Sequence, residues 1–159
     1  MDKRTPVTLL LITFSLVLLA SAACYPPATP VPPSASSGSP ITNIEWQWQS
    51  VTNQTTRETT EVPDPQNYTI IFRDDGTLNG MADCNSFTGT WSQEAGFSIT
   101  IGASTMAACS EASLDTQYLQ LLSSVAAGGP DGAGNLALET AGGEQRMLFT
   151  NGGAAPASS

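Results

Sequence analysis

The chain has 159 residues, 40% of them hydrophobic, and a formal net charge of −9 with only five basic residues. That length holds one domain with tails, and the acidity argues against nucleic acid, whose phosphates call for Lys and Arg, and against adsorption to anionic lipid through charge. With no histidine and Lys3 as the sole lysine, a Ser-His-Asp or Cys-His centre, a histidine metal site and a lysine Schiff base are excluded, and no phosphate-cradling glycine motif is present.

Residues 1–23 read as an export signal. Lys3 and Arg4 form a short basic start, Val7 to Leu19 is mostly apolar, and Ser21-Ala22-Ala23 supplies small residues before Cys24. The apolar run is short for a spanning helix. The cysteine at its end resembles the lipobox of bacterial lipoproteins, in which the residue matching Cys24 is acylated and becomes the mature N-terminus. Ser21 stands where that motif has an aliphatic residue. Ordinary cleavage after Ala22 or Ala23 is the alternative. The chain has three cysteines, which leaves one over for lipid if Cys84 pairs with Cys109. Residues 24–40 form a linker with six prolines among Ala, Ser, Thr and Gly. Such a composition makes no core and stiffens towards an extended tether.

Residues 41–150 are expected to fold. Ile44, Trp46 and Trp48 alternate with Glu45 and Gln47, the period of a half-buried strand. Asn53 to Gln66 is polar and broken by Pro63 and Pro65, which predicts a long loop or an irregular edge hairpin. Tyr68–Phe72 is a second strand. Asp74-Asp75-Gly76-Thr77 has the chemistry of a hairpin turn; a calcium loop is the alternative, but the spacing and closing glutamate of an EF-hand are missing. Leu78–Met81 continues as a strand in which Gly80 marks a bulge or a close backbone approach. Phe87, Gly89 and Trp91 alternate with polar residues, Asn85 is suited to fixing buried backbone beside a bridged cysteine, and Phe97–Ile101 makes a further short strand.

A helix is expected from about Glu111 to Val125. Ser110 or Ser113 would cap it, and Leu114, Tyr118, Leu121, Leu122 and Val125 would form its apolar face. Gly128 to Gly134 should be a flexible loop. Asn135–Glu139 and Gln145–Phe149 should pair as a final hairpin through Gly142-Gly143, and residues 151–159 should be a disordered tail.

Taken in order, Trp46, Phe72 with Asp75-Gly76, Gly80, Cys84-Asn85 with Phe87 and Gly89, Thr105-Met106 through Cys109, the Tyr118/Leu122 helix and the closing Leu136/Leu138 and Leu148-Phe149 strands resemble the META domain, the family of the heat-shock-inducible HslJ protein. The Cys-Asn-x-Phe-x-Gly run is the specific part. The chain departs from the pattern at three places: Asp83 stands where glycine is common, Trp91 where tyrosine is usual, and Met106 comes one place early, leaving Ala107 at its position. The resemblance implies a small α+β domain, an antiparallel barrel-like sheet with one helix packed across it. It also implies a cell-envelope location, a stress-response setting and no established enzymatic chemistry. The fold is similar to that of lipid-binding pilotins. A disulfide between Cys84 and Cys109, closing about 25 residues, would add roughly 3 kcal/mol, and no basic residue lies near to activate either thiol. The bridge is therefore read as structural.

The expectation is a non-enzymatic, lipid-anchored binding or stress-response module, monomeric and without cofactor or metal, that meets an envelope protein or an apolar ligand. An exported soluble inhibitor or chaperone-like cofactor, using the Asn53–Gln66 loop, is the alternative. An acid-dependent hydrolase built on Asp74, Asp75 or Asp83 is a more distant one.

Overall fold

The computed structural model describes residues 40–157. The signal segment, Cys24, nearly all of the proline-rich linker and the last two residues lie outside them. The described part is built from nine strands and one α-helix: β1 (Ile44–Asn53), β2 (Thr59–Glu61), β3 (Tyr68–Phe72), β4 (Thr77–Ala82), β5 (Asn85–Ser92), β6 (Ser98–Ser104), α1 (Asp115–Ser123), β7 (Val125–Pro130), β8 (Leu136–Thr140) and β9 (Gln145–Ala154). The strands form one sheet in the order β6-β5-β4-β3-β1-β9-β8-β7, with β2 paired on β1, and every strand pairing is antiparallel. The sheet curls into a half-barrel, and α1 connects its two outer strands, β6 and β7.

Alternation places the core. In β1, Trp46 and Trp48 point inwards and are buried, and each indole N–H finds a carbonyl, that of Ile41 at 2.9 Å and of Ser50 at 2.9 Å. β3 is buried along its whole length, as a strand with sheet on either side and α1 near its end should be. Tyr118 and Leu122 of α1 enter the same core. Around the Tyr118 ring stand Trp48, stacked at 5.0 Å, and Tyr68 and Phe87, both edge-on. Aromatic pairs in these geometries favour one arrangement beyond the area they bury.

The β3–β4 connection is the turn expected at Asp74–Thr77. Gly76 takes the left-handed conformation at φ 81°, the Arg73 N–H reaches Thr77 O and the Gly76 N–H reaches Arg73 O. Asp75 Oδ1 accepts from the Thr77 N–H at 2.9 Å and the Thr77 hydroxyl at 2.6 Å. Those bonds hold the Asp75 carboxyl below the ordinary carboxylate range, the Thr77 side chain first among the causes. Of the bulge or close approach expected at Gly80, the structure has the close approach, since a Cβ there would collide with Thr69 O and sit 2.7 Å from the Phe87 ring. Asn53–Gln66 contains the edge hairpin, β2 pairing with β1 from Ser50 to Thr52.

Three boundaries differ from the sequence reading. The helix starts at Asp115 instead of Glu111, because Cys109 is tied down and Ser110–Ser113 is already a turn, with the Ser113 N–H on Ser110 O. Of the two caps expected, Ser113 Oγ accepts the Asp115 N–H at 3.2 Å, and the N–H of the boundary residue Leu114 is taken by the Tyr68 hydroxyl at 2.9 Å. The glycine-rich stretch after the helix supplies β7 through Pro130 instead of a loop. The expected disordered tail is also corrected: β9 runs on to Ala154, the Ala155 N–H bonds Asn43 O, and Arg73 Nη2 donates to Pro156 O at 2.9 Å. Pairing with β1, as at Ile44 opposite Ala154, gives this small polar segment a ladder to join.

Candidate functional site

Of the residues singled out from the sequence, Cys84, Asn85, Thr105 and Cys109 meet at one corner, where β4 turns into β5, while Cys24 lies outside the described residues. Cys84 is bridged to Cys109 with Cα atoms 5.7 Å apart, carrying the loop after β6 back onto the start of β5. Asn85, 4% exposed, fastens the same loop without covalent bonds. Its Oδ1 accepts from the Ala107 N–H at 2.7 Å and from the Thr105 hydroxyl at 3.1 Å. Its amide nitrogen is shared among Ala107 O at 3.1 Å, Cys109 Sγ at 3.3 Å and Asp115 Oδ2 at 3.5 Å. Thr105 closes the corner, its N–H on Ser86 O and its hydroxyl accepting from the Ser86 N–H. A side-chain amide with donors and acceptor all engaged is the arrangement that makes a buried polar residue stabilising.

The departures from the family pattern acquire physical content here. Asp83, where glycine is common, is left-handed at φ 56°, a conformation that glycine adopts without the Cβ penalty. Trp91, in place of tyrosine, donates its indole N–H to Arg73 O at 2.9 Å. Ala107 presents both backbone groups to Asn85, while Met106 beside it is 95% exposed. Phe87 fills the core and Gly89 lets Thr100 O approach.

Beside the fastened loop lies an open groove of about 590 Å³, lined by Gly102, Ser104, Thr105–Ala108, Asn85, Asp115 and Leu119. Its size is that of small-molecule sites, which combine apolar walls with a few fixed polar groups. Asp115 and Leu119 were missed as site residues. The signal for Leu119 is an apolar residue lying off the predicted buried face. The acidic residues do not assemble: Asp74 and Asp75 occupy one end of β4 and Asp83 the other. Among the described residues no three His, Cys, Asp or Glu side chains converge as metal ligands would.

A helix between the outer strands of a curled antiparallel sheet, with the Cys-Asn corner fastening the loop before it, defines a small α+β domain of the barrel-like kind. The META domain model matches residues 39–152, and the chain belongs to the META domain family. No curated protein matches it. Among solved structures it is similar in fold to a DUF4847 family protein from Bacteroides vulgatus, at 16% identity and TM-score 0.52 over 69% of this chain and 93% of that one. It is likewise similar to a protein from Burkholderia xenovorans, at 16% identity and TM-score 0.54 over 77% and 98%.

Proposed function

We propose that this chain is an exported META-domain protein, held at a membrane through acylated Cys24, whose groove takes an apolar group from a ligand or an envelope protein. The observation that carries the reading is Met106, 95% exposed at the lip of the groove on a loop held by both a disulfide and a buried amide. An unbranched thioether adapts to varied apolar partners, and a loop fixed beforehand lowers the ordering cost of binding. The course of the chain supports the same reading. Ile41–Asn43 enter beside the Arg73–Gly76 turn, the Asn43 N–H bonding Phe72 O, whereas the groove lies beyond the other end of β3, where Tyr68 pairs with Ala82. Five residues of strand, about 15 Å, separate the two ends. The described chain therefore enters at the end of β3 away from the groove, which leaves the groove clear of the point where a tether attaches.

The test uses Nile red, a neutral apolar dye, with the full chain carrying Cys24→Ser to keep it in solution. Dye fluorescence should rise on binding and fall several-fold in Met106→Glu, whose exposed site leaves the core untouched. Equal fluorescence from both would overturn the groove. Cell fractionation tests the anchor separately: Cys24→Ser should move the protein out of the membrane fraction, and unchanged partitioning would overturn acylation.

A further inference from the structure

The two halves of the Cys84–Cys109 bridge face different surroundings. Cys84 is exposed at the turn and Cys109 is half-buried. The Asn85 amide N–H points at Cys109 Sγ from 3.3 Å. The polar neighbour of Cys84 Sγ is instead the Ala107 carbonyl oxygen, at 3.7 Å, which is 3.9 Å from Cys109 Sγ. An amide donor stabilises a thiolate, and a carbonyl oxygen favours the protonated thiol.

We infer that the bridge is a directional thiol-exchange site, at which a small thiolate attacks Cys84 Sγ and Cys109 leaves. The attacking sulfur's electron pair makes the new S–S bond to Cys84. The Cys84–Cys109 bond breaks, and its electron pair stays on Cys109 Sγ as a thiolate facing the Asn85 N–H. With a dithiol as the reductant, its second thiolate then attacks the sulfur bonded to Cys84, expels Cys84 as a thiolate and closes the reductant's own disulfide. Access selects this direction, because exchange is faster at the reachable sulfur, and the Asn85 N–H on Cys109 Sγ offsets the charge of the nearby Asp115 carboxylate for the departing thiolate. Two carboxylates add a second selection. Asp83 precedes Cys84, and Asp115 stands 3.5 Å from the Asn85 amide, so cationic thiols should be preferred to anionic ones. Thr105 and Ala107 keep their bonds to Asn85 and Ser86 when the bridge opens. Exchange therefore frees the segment from Cys109 to the helix without dismantling the corner. This inference does not depend on what occupies the groove.

The experiment treats the oxidised full chain carrying Cys24→Ser, so that two cysteines remain, with cysteamine or glutathione. Early samples are acid-quenched, the free thiols alkylated, and the chain cut after glutamate. Cleavage at Glu61, Glu94 and Glu111 separates Cys84 from Cys109. The mixed disulfide should lie on the Cys84 fragment, in excess over the Cys109 fragment by roughly fivefold or more. Equal labelling, or adduct mainly on Cys109, would overturn the direction. Compared per thiolate, cysteamine should react faster than glutathione at low ionic strength, with the gap narrowing in salt as screening sets in. Equal rates at low ionic strength would overturn the charge selection. Neither measurement needs a substitution inside the folded domain.

Discussion

Asp83, Tyr118, Asp75 and Asp131 show how single residues are held at a cost or a gain. Asp83 is left-handed at φ 56°, so Asp83→Gly should raise stability by up to about 1 kcal/mol, read as a higher urea midpoint. The Tyr118 hydroxyl is fully buried and has no hydrogen-bond partner among the described residues, and burial pushes its pKa well above the usual phenol value. Removing an unpaired buried hydroxyl takes away a desolvation penalty, so Tyr118→Phe should be neutral or stabilising by about 1 kcal/mol in the same titration. Asp131 resembles Asp75: the Asn135 side chain first, then the Ala133 N–H, hold its carboxyl below the ordinary range. For both groups the folded pKa lies below the unfolded one. Their stabilisation is complete above the ordinary carboxylate range and is lost as pH falls through the depressed values. Unfolding midpoints should therefore drop on acidification below about pH 4, and the drop should be shallower in a double variant, Asp75→Asn with Asp131→Asn.

At the scale of elements, the loop between β6 and α1 has two independent fastenings, Cys109 on Cys84 and the Asn85 amide on Thr105 and Ala107. Replacing both cysteines by serine should cost roughly 3 kcal/mol. Asn85→Ala should cost about 2–3 kcal/mol, since it strands the Ala107 backbone groups. Urea unfolding of each variant measures both, and a cost near zero for Asn85→Ala would contradict its role. Much of this was legible in the sequence. Alternation marked β1, Tyr68–Phe72 read as a strand, Asp-Gly marked the β3–β4 turn, and Gly80 marked a bulge or a close approach, of which the structure has the second. The helix start and β7 were not legible, because both depend on partners outside their own segments. Tyr68 takes the Leu114 N–H from 46 residues away, and the glycines after α1 become a strand by pairing with β8. Local propensity sees neither. The five bonds of Asn85 were likewise hidden, although its position beside Cys84 marked it as a residue to watch.

At the scale of the molecule, a META domain with its chain entry at one end of β3 and its groove beyond the other suits a tethered binding module. The signal-like start, Cys24 and the proline-rich linker are what would make it one, and they precede the described residues. The proposed function joins an anchor to a binding groove, and native mass spectrometry of protein extracted gently from membranes, with the denatured mass taken alongside, addresses both at once. The denatured mass should be that of a chain beginning at Cys24, carrying acyl groups and lacking two protons for the bridge. The native spectrum should show a bound apolar molecule or protein on wild type, and its occupancy should fall about tenfold, equivalent to some 1.4 kcal/mol, in Met106→Glu. An unacylated Cys24, or an adduct that Met106→Glu retains undiminished, would contradict the account.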